Sequence, residues 1–358
     1  MNFDLSILQC PVTKHDLSEI KKEDFERLGL TEDFKGLGKI NSGLIDSSQS
    51  YFYPIVDDII VLHANYALYI GKDKDIRDKM SYDKKRVFDY YNEINYKTQN
   101  AMSIYEDSAK WVDYREVSKE YIQNSFTKAA KFYPPSGKYF LDIASGPIGL
   151  QEYLNLSRGY EYRICIDISI NALIQAKHNF QHSAEKGIFI CGDITNIPIK
   201  SNICNTVLSQ HTLYHLPKKD QKTAVEELYR VALDGGGHVV IIYSWFWHGW
   251  FMNIALNVVQ LYRIARHLAG KLYVKLNPKT KPRLYFHAHS PSWFKRSFSF
   301  SDKIEFYCWR STDIYFMNMY IHKGLGGKKI LRLLRKLEDK YSRFFGTFGE
   351  YPAIVIKK

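Results

Sequence analysis

Four stretches of the chain hold residue types that could grip a ligand and do chemistry on it. Leu141-Asp-Ile-Ala-Ser-Gly-Pro-Ile-Gly149 ends an apolar run in a turn, and glycine there lets a ligand come close to the backbone. Asp167 ends a second apolar run, 25 positions after Asp142. A carboxylate at that place can accept hydrogen bonds from both hydroxyls of a ribose. It could equally cap the helix that follows, as could Ser169. Gly192-Asp-Ile-Thr-Asn-Ile-Pro198 ends a third run, where Asp193 could take an adenine amino group and Ile194 could pack on the ring. Ser209-Gln-His-Thr-Leu-Tyr-His215 ends a fourth and brings His211 and His215. An imidazole with its ordinary pKa of about 6.5 suits a general base at neutral pH, although His215, before Leu216-Pro217, could simply cap a loop. His287 and His289 form a further pair whose two-residue spacing could suit a metal, but no third ligand is evident and no metal site is assigned.

These residues need strands to hold them. Lys138–Ile143, Tyr162–Asp167, Ile188–Cys191, Thr206–Ser209 and His238–Tyr243 are apolar runs of strand length. Helical patterns such as 172–180 and 221–231 separate them. Strands alternating with helices imply βαβ units and a mostly parallel sheet with helices on both faces. Ile304–Trp309 and Ala353–Ile356 supply two more strands, seven in all. In such sheets ligands bind at the carboxyl ends of the strands, where all four stretches fall. Ahead of this region, 72–100 and 111–132 look helical, and 1–70 looks like a small β-rich module in which an Asp57-Asp58 turn splits two strand pieces.

The four stretches, with Glu227-Leu-Tyr-Arg-Val-Ala-Leu-Asp-Gly-Gly-Gly-His238 leading into the fifth strand, resemble the class I S-adenosylmethionine-dependent methyltransferases that act on small molecules. The resemblance covers roughly 138–244. It implies an α/β, Rossmann-like seven-stranded methyltransferase sheet with S-adenosylmethionine as cofactor. It also implies a site made of Asp142, Ala144, Gly146, Asp167, Ile168, Asp193, Ile194 and Gln210, with His211 and His215 as catalytic candidates. The family's glycine loop often reads GxGxG, whereas here Ala144 and Pro147-Ile148 replace parts of it. A dinucleotide-binding GxGxxG reading is weaker, because Ala144-Ser-Gly-Pro-Ile-Gly149 lacks the first glycine of that fingerprint. The place after strand four reads Ser209-Gln-His-Thr212, not the Asn/Asp-Pro-Pro-aromatic motif of nucleic-acid amine methyltransferases, which argues against base N-methylation by that route.

Residues 1–70 resemble the small zinc-ribbon-like domain found free or fused beside methyltransferases, through Leu8-Gln-Cys-Pro-Val-Thr13 and Tyr53-Pro-Ile-Val-Asp-Asp-Ile-Ile60. Thr13 stands where the family has its second cysteine, and Cys10, His15 and His63 do not make a four-ligand set, so the module is expected to be metal-free. The methyltransferase domain is expected over 71–358, including a basic lid and substrate region at about 245–345. Residues 263–358 carry 21 Lys+Arg against 6 Asp+Glu, a net +15, which leaves −3 for the rest of a chain of net +12. Such a field favours anionic partners. The readings open at this point are a small-molecule or glycan-type acceptor, phosphorylated or lipid-linked; RNA; and a non-catalytic protein that binds cofactor or activates a partner. Five scattered cysteines and no signal peptide suggest a cytoplasmic protein. The charge-free stretch 235–262 and a basic helix at 325–345 leave room for peripheral contact with the inner face of a membrane.

Overall fold

The computed structural model describes residues 3–358 except 32, 35–36, 73, 78–79, 100–101, 108–110, 182, 184–185 and 277–283. The chain begins with β1 (Leu17–Lys21), the two-residue strands β2 (Asp33–Phe34) and β3 (Gly38–Lys39), β4 (Ser42–Asp46), β5 (Tyr51–Val56), β6 (Ile59–Val61) and β7 (Leu68–Tyr69). Asp57 and Asp58, at φ 49° and 61°, form the turn between β5 and β6. That left-handed pair is what a two-residue hairpin needs to follow the twist of its strands. Helix α1 (Tyr82–Glu93) follows, with the Ser81 hydroxyl accepting from Lys84 N at its start.

The helix expected through residue 100 stops at Glu93. Strands β8 (Tyr96–Gln99) and β9 (Met102–Tyr105) form a hairpin there, with Tyr96 opposite Tyr105 and Lys97 opposite Ile104. Aromatic and β-branched residues (Tyr96, Thr98, Ile104, Tyr105) favour the pleated conformation over a helix. The second expected helix also starts late: α2 spans Lys119–Thr127 and tightens into a 3-10 turn over Lys128–Phe132. Asp113 and Arg115 hold the preceding turn by an ion pair.

The remaining elements are β10 (Gly137–Ile143), α3 (Gln151–Leu154), β11 (Tyr160–Asp167), α4 (Ile170–Asn179), β12 (Lys186–Cys191), β13 (Thr206–Gln210), α5 (Gln221–Val231), β14 (His238–Ile242), α6 (Trp250–Ala255), α7 (Asn257–Leu276), α8 (Pro291–Ser297), β15 (Ile304–Arg310), α9 (Ile314–Tyr320), α10 (Gly327–Lys340), α11 (Ser342–Phe348) and β16 (Tyr351–Lys357). Seven strands lie in the order β12-β11-β10-β13-β14-β16-β15, with only β16 antiparallel to its neighbours. This is the expected Rossmann-like sheet, but it does not end at β12. Strand β6 pairs in parallel with β12 (Ile59 with Phe189, Ile60 with Ile190, Val61 with Cys191), and β5, β4 and β1 continue outward. With β7 beside β5, the sheet has twelve strands, so the N-terminal strands prolong the main sheet. The physical reason is the edge: β12 alone would present unpaired N–H and C=O groups, and the wholly buried Ile59-Ile60-Val61 covers them.

Helices pack on both faces. Ala224, Val225 and Leu228 of α5 meet Leu141, Ile164 and Val239 on one face, while Tyr121 and Phe126 of α2 and Leu331 of α10 meet Phe140, Leu208 and Val240 on the other. The helix expected over 325–345 is two helices, broken at Tyr341 (φ −113°, ψ 42°), where the Ser342 hydroxyl accepts from Cys308 N of β15. Leu331, Leu334 and Glu338 face inward, and the buried Glu338 carboxylate takes Lys128 Nζ at 2.9 Å and Ser311 N at 2.9 Å.

A second buried ion pair lies under the site. Arg163 of β11 is 0 % exposed and pairs with Asp142 of β10. Its Nη1 donates to Tyr153 O at 2.8 Å, Leu154 O at 3.3 Å and Ser157 Oγ at 3.3 Å. Asp142→Ala leaves this guanidinium buried without its anion. The expected loss is about 3–5 kcal/mol of stability, read as a lower urea midpoint; an unchanged midpoint would show that the pair does not hold the sheet to α3.

Candidate functional site

Strands β10, β11, β12 and β13 end on one edge of the sheet and deliver the expected residues there. The turn after β10 is anchored by Ala144 N and Ser145 N, which donate to Ile166 O at 2.6 and 3.2 Å. Asp167, at the end of β11, accepts Gly146 N on Oδ2 at 2.9 Å and Ser169 N on Oδ1 at 2.9 Å. The cap of α4 is Ser169, whose hydroxyl accepts from Ala172 N, so Asp167 is not spent on capping. The Ile168 amide also acts on this carboxylate, so three backbone amides surround it. Burial pushes the Asp167 carboxyl up to about 6, and the Gly146 and Ser169 amides only partly counter this.

Asp142 does not face a ligand directly: its carboxylate is committed to Arg163. Asp193 pairs with Lys84 of α1, and its Oδ1 accepts both Thr195 N and Thr195 Oγ1 at 2.8 Å. This lysine holds the Asp193 carboxyl below its usual range despite burial. Ile194 is buried beside it, and Ile168 is half-buried, its carbonyl accepting the Cys191 thiol at 3.6 Å. The Gln210 Oε1 is buried with no hydrogen-bond partner.

Over this edge lies the β8–β9 hairpin, which the sequence did not reveal. Tyr96 stacks on Tyr105 with ring centroids 5.4 Å apart, and Tyr91 lies 6.0 Å from Tyr105. Gly146 (φ 57°) abuts Tyr105: a Cβ there would lie 3.1 Å from the tyrosine hydroxyl oxygen. A Cβ on Gly149 would lie 2.3 Å from Ile104. Asn179, at the end of α4, ties the two parts together. Its Oδ1 accepts Ser103 N at 3.0 Å, and its Nδ2 donates to Ser103 O at 2.9 Å and to Pro147 O at 2.8 Å.

Beyond β13 the second half of the edge is aromatic. His211 stands edge-on to Trp309 at 4.8 Å and to Tyr351 at 5.6 Å. Burial, with Arg310 nearby, lowers its pKa to about 3. Burial likewise lowers His215 to about 4. The His215 Nδ1 lies 2.9 Å from Tyr285 O; a carbonyl only accepts, so Nδ1 carries the hydrogen and Nε2 holds the lone pair. Tyr214, Phe246 and Phe286 complete this wall, with Phe286 at 5.2 Å from Tyr214 and 4.8 Å from Phe246. His287 and His289 lie 4.7 Å apart, but His289 stacks flat on Trp293 at 3.8 Å. Among the described residues no three His, Cys, Asp or Glu side chains converge as a metal site would require. Cys10 contacts the Tyr53 hydroxyl at 3.2 Å, while His15 lies 3.8 Å from Asp46 and the His63 ring 5.8 Å from that of Phe88.

Three residues at this edge hold left-handed backbone without being glycine: Ala144 (φ 56°), Ile148 (φ 49°) and His211 (φ 55°). Each such residue costs roughly 1–2 kcal/mol. Ala144→Gly should therefore raise stability by about 1 kcal/mol in urea unfolding, less the entropy glycine adds to the unfolded chain. A loss of stability would mean that the alanine methyl packs in a way that outweighs its strain.

Residues 141–241 match the family model described as a methyltransferase domain. No curated protein matches the chain. Solved structures do. A chain from the Haloferax volcanii complex between a methyltransferase activator and its candidate methyltransferase is 14% identical, covering 67% of this chain and 90% of that one at a TM-score of 0.41. An S-adenosylmethionine-dependent methyltransferase from Archaeoglobus fulgidus is 15% identical, covering 67% and 94% at 0.38. Another from Clostridium acetobutylicum is 20% identical, covering 39% and 55% at 0.29. The family match spans the four strand ends built above, and over residues 141–241 this chain carries a methyltransferase domain.

Proposed function

We propose that this enzyme transfers the methyl group of S-adenosylmethionine to an oxygen or nitrogen of a small-molecule or glycan-type acceptor presented at a lipid surface. The observation that carries the acceptor reading is the lid. The aromatic wall of Tyr214, Phe246 and Phe286 runs directly into α6 and α7, which turn Trp250, Ile254, Tyr262, Ile264, Leu268 and Leu272 to solvent. Trp250 is 55% exposed, and its ring lies 6.1 Å from that of Phe348, itself part-exposed. An apolar face of this size beside the acceptor side suits a helix lying in a membrane interface. Among the described residues no helix is long and apolar enough to cross a membrane.

The cofactor half fits its ligand. Asp167 would present its carboxylate to the ribose hydroxyls, and the buried Gln210 Oε1 offers an acceptor to a further donor. Ala144 and Gly146 form the turn against the methionine part, while Ile168 and Ile194 flank the adenine. Asp193 keeps one acceptor position for the adenine amino group, and Asp142 works through Arg163 on the turn's footing. When bound, the cofactor supplies a methyl on a sulfonium, and the bonding pair stays with sulfur as the methyl leaves.

The protein's share is alignment and exclusion of water. His211 and His215 are held neutral, so they meet the acceptor with a lone pair and add no charge next to the sulfonium. With pKa values lowered to about 3 and about 4 they fall below the range of an efficient general base, so their part is to accept a hydrogen bond from the acceptor and orient it. The C-terminal charge favours RNA less than its sum suggests. Lys328 pairs with Glu116, and Arg332 and Arg335 pair with Glu120, so much of the charge on α10 is met within the chain.

The Asp167 role has a pH signature. A hydrogen bond to a charged group is worth about 1.5–3 kcal/mol, so Asp167→Ala should weaken S-adenosylmethionine binding roughly tenfold to a hundredfold by calorimetry. In the wild type, affinity should fall as pH drops through about 6, where the carboxylate takes a proton. Folding runs the other way for this group. Its pKa is raised on folding, so its contribution to stability is greatest below the unfolded value and declines as pH rises through about 6. Acid-weakened binding therefore cannot be unfolding through Asp167, and an affinity flat from pH 7 to 5 would remove the ribose role.

The acceptor reading is tested with methyl-labelled S-adenosylmethionine, the purified protein and an extract of the source cell, separated into lipid, glycan, small-molecule, protein and RNA fractions. Label is expected in the lipid or glycan fraction. Label confined to RNA or protein would overturn the acceptor class and leave the cofactor assignment standing.

A further inference from the structure

Strand β15 ends in a feature that neither the cofactor half nor the two histidines use. Arg310 is only 5 % exposed. Among the described residues its guanidinium has no ion-pair partner, and its buried Nε has no hydrogen-bond partner. The two other buried cations, Arg163 and Lys128, each have a carboxylate, Asp142 and Glu338. Arg310 instead lies over two rings, its Cζ 4.7 Å from the centre of Tyr351 and 5.1 Å from that of Trp309. Next to it the indole Nε1 of Trp309 is a second buried N–H with no acceptor. Of the nearby carboxylates, Asp313 caps α9 through Phe316 N and Glu350 takes the Ser244 hydroxyl on Oε1 at 2.7 Å, and neither forms an ion pair with Arg310.

The backbone is built for this placement. The pairing of β15 with β16 shifts between Cys308 and Arg310, a β-bulge at the last turn of the ladder. Bulges at strand ends re-aim side chains. Since β15 runs parallel to β13 and β14, Arg310 arrives on the same edge as His211, and Trp309 touches the His211 ring. Aromatic faces offset part of the loss of water around a guanidinium, but they cannot replace an anion. Two orphaned donors, one permanently cationic, lie beside the acceptor side of the site. They are complementary to oxygen lone pairs bearing negative charge.

We propose that Arg310, with the Trp309 indole, forms a subsite for an anionic oxygen group of the acceptor, a phosphate or a carboxylate, and so selects acidic acceptors. The inference rests on the acceptor lying beside His211, as in the function proposed above. It accounts for a costly arrangement: a guanidinium kept dry and without an ion pair, while the other buried cations among the described residues are neutralised. It also separates this residue from Lys328, Arg332 and Arg335 on the surface of α10, which already have carboxylate partners.

The test uses the full-length protein saturated with S-adenosylhomocysteine, titrated with inorganic phosphate and with acetate against chloride at matched ionic strength, and read by thermal unfolding. The wild type should gain stability saturably with phosphate, acetate or both, and the stronger of the two names the group. Arg310→Met should bind that anion at least tenfold more weakly while binding S-adenosylhomocysteine as before. Without anion its midpoint should rise by roughly 2–4 °C, because an unpaired buried charge has been removed. Arg310→Lys keeps the cation and should retain a weaker anion response; it decides the matter if the methionine variant fails to fold. Arg335→Met, on the surface, should behave as the wild type. The proposal is overturned if the wild type shows no saturable anion response, or if the response survives in Arg310→Met, or, where that variant does not fold, if Arg310→Lys matches a chloride-only baseline. Loss of S-adenosylhomocysteine binding by the wild type would instead strike the cofactor reading, which makes the two failures distinct.

Discussion

A guanidinium with no access to water sets the terms for the sheet around the glycine turn. Arg163 lies between strand β10, which provides its carboxylate partner, and α3, whose carbonyls accept from its Nη1. The turn at Ala144–Gly149 spans the gap between that strand and that helix. Both of its ends are therefore held by one side chain, and the left-handed residues Ala144, Gly146 and Ile148 are tolerated because their neighbours cannot move away. Gly146 in turn delivers its amide to Asp167, so the charge on β10 reaches the second strand through a backbone hydrogen bond.

The site contrasts two kinds of electrostatics. The cofactor half contains carboxylates whose pKa values diverge: Asp167 is pushed up by burial, and Asp193 is pulled down by Lys84. The other half contains cationic or potentially cationic groups kept from pairing, with His211 and His215 neutral and Arg310 between rings. A sulfonium ligand and an acidic acceptor would be met by opposite halves of one edge, and the aromatic wall between them keeps the two from being levelled by water.

Much of this edge was legible in the sequence because a parallel sheet ends all its strands on one side. Five motifs spread over about a hundred residues thus become neighbours once the βαβ order is recognised, and Asp167, Gly146, Asp193 and His211 could be placed by counting strands. Other parts were not legible, for identifiable reasons. The β8–β9 hairpin sits in a charged stretch whose composition also suits a helix, and its place is set by Asn179 and Gly146, residues far along the chain. The pairing of β6 with β12 leaves no periodic trace, since Ile59-Ile-Val61 reads as buried in any setting. Arg310 belongs to no motif: its meaning comes from the ion pair that it does not make, although Asp313 and Glu350 lie nearby. Ile330, Leu333 and Leu337 of α10 face outward, while Leu331 and Leu334 turn inward with the buried Glu338.

The strand that closes the sheet edge also bears on how the chain reaches this structure. Ile59–Val61 pairs with Phe189–Cys191, about 130 residues downstream. During synthesis β6 emerges long before its partner exists, and it must wait through the making of β10, β11 and the helices between. Pairings of such high sequence separation are slow to form, because loop closure precedes any return from the contact. Until β12 arrives, β6 is an apolar strand with an open edge, and afterwards β12 is the same until β6 docks. The first seventy residues therefore seal the sheet beyond β12 and brace the loop after it, where Pro198 O accepts Gln9 N and Pro11 O accepts Asn196 Nδ2, and the interval before they dock is when this chain is most open to pairing with another copy of itself.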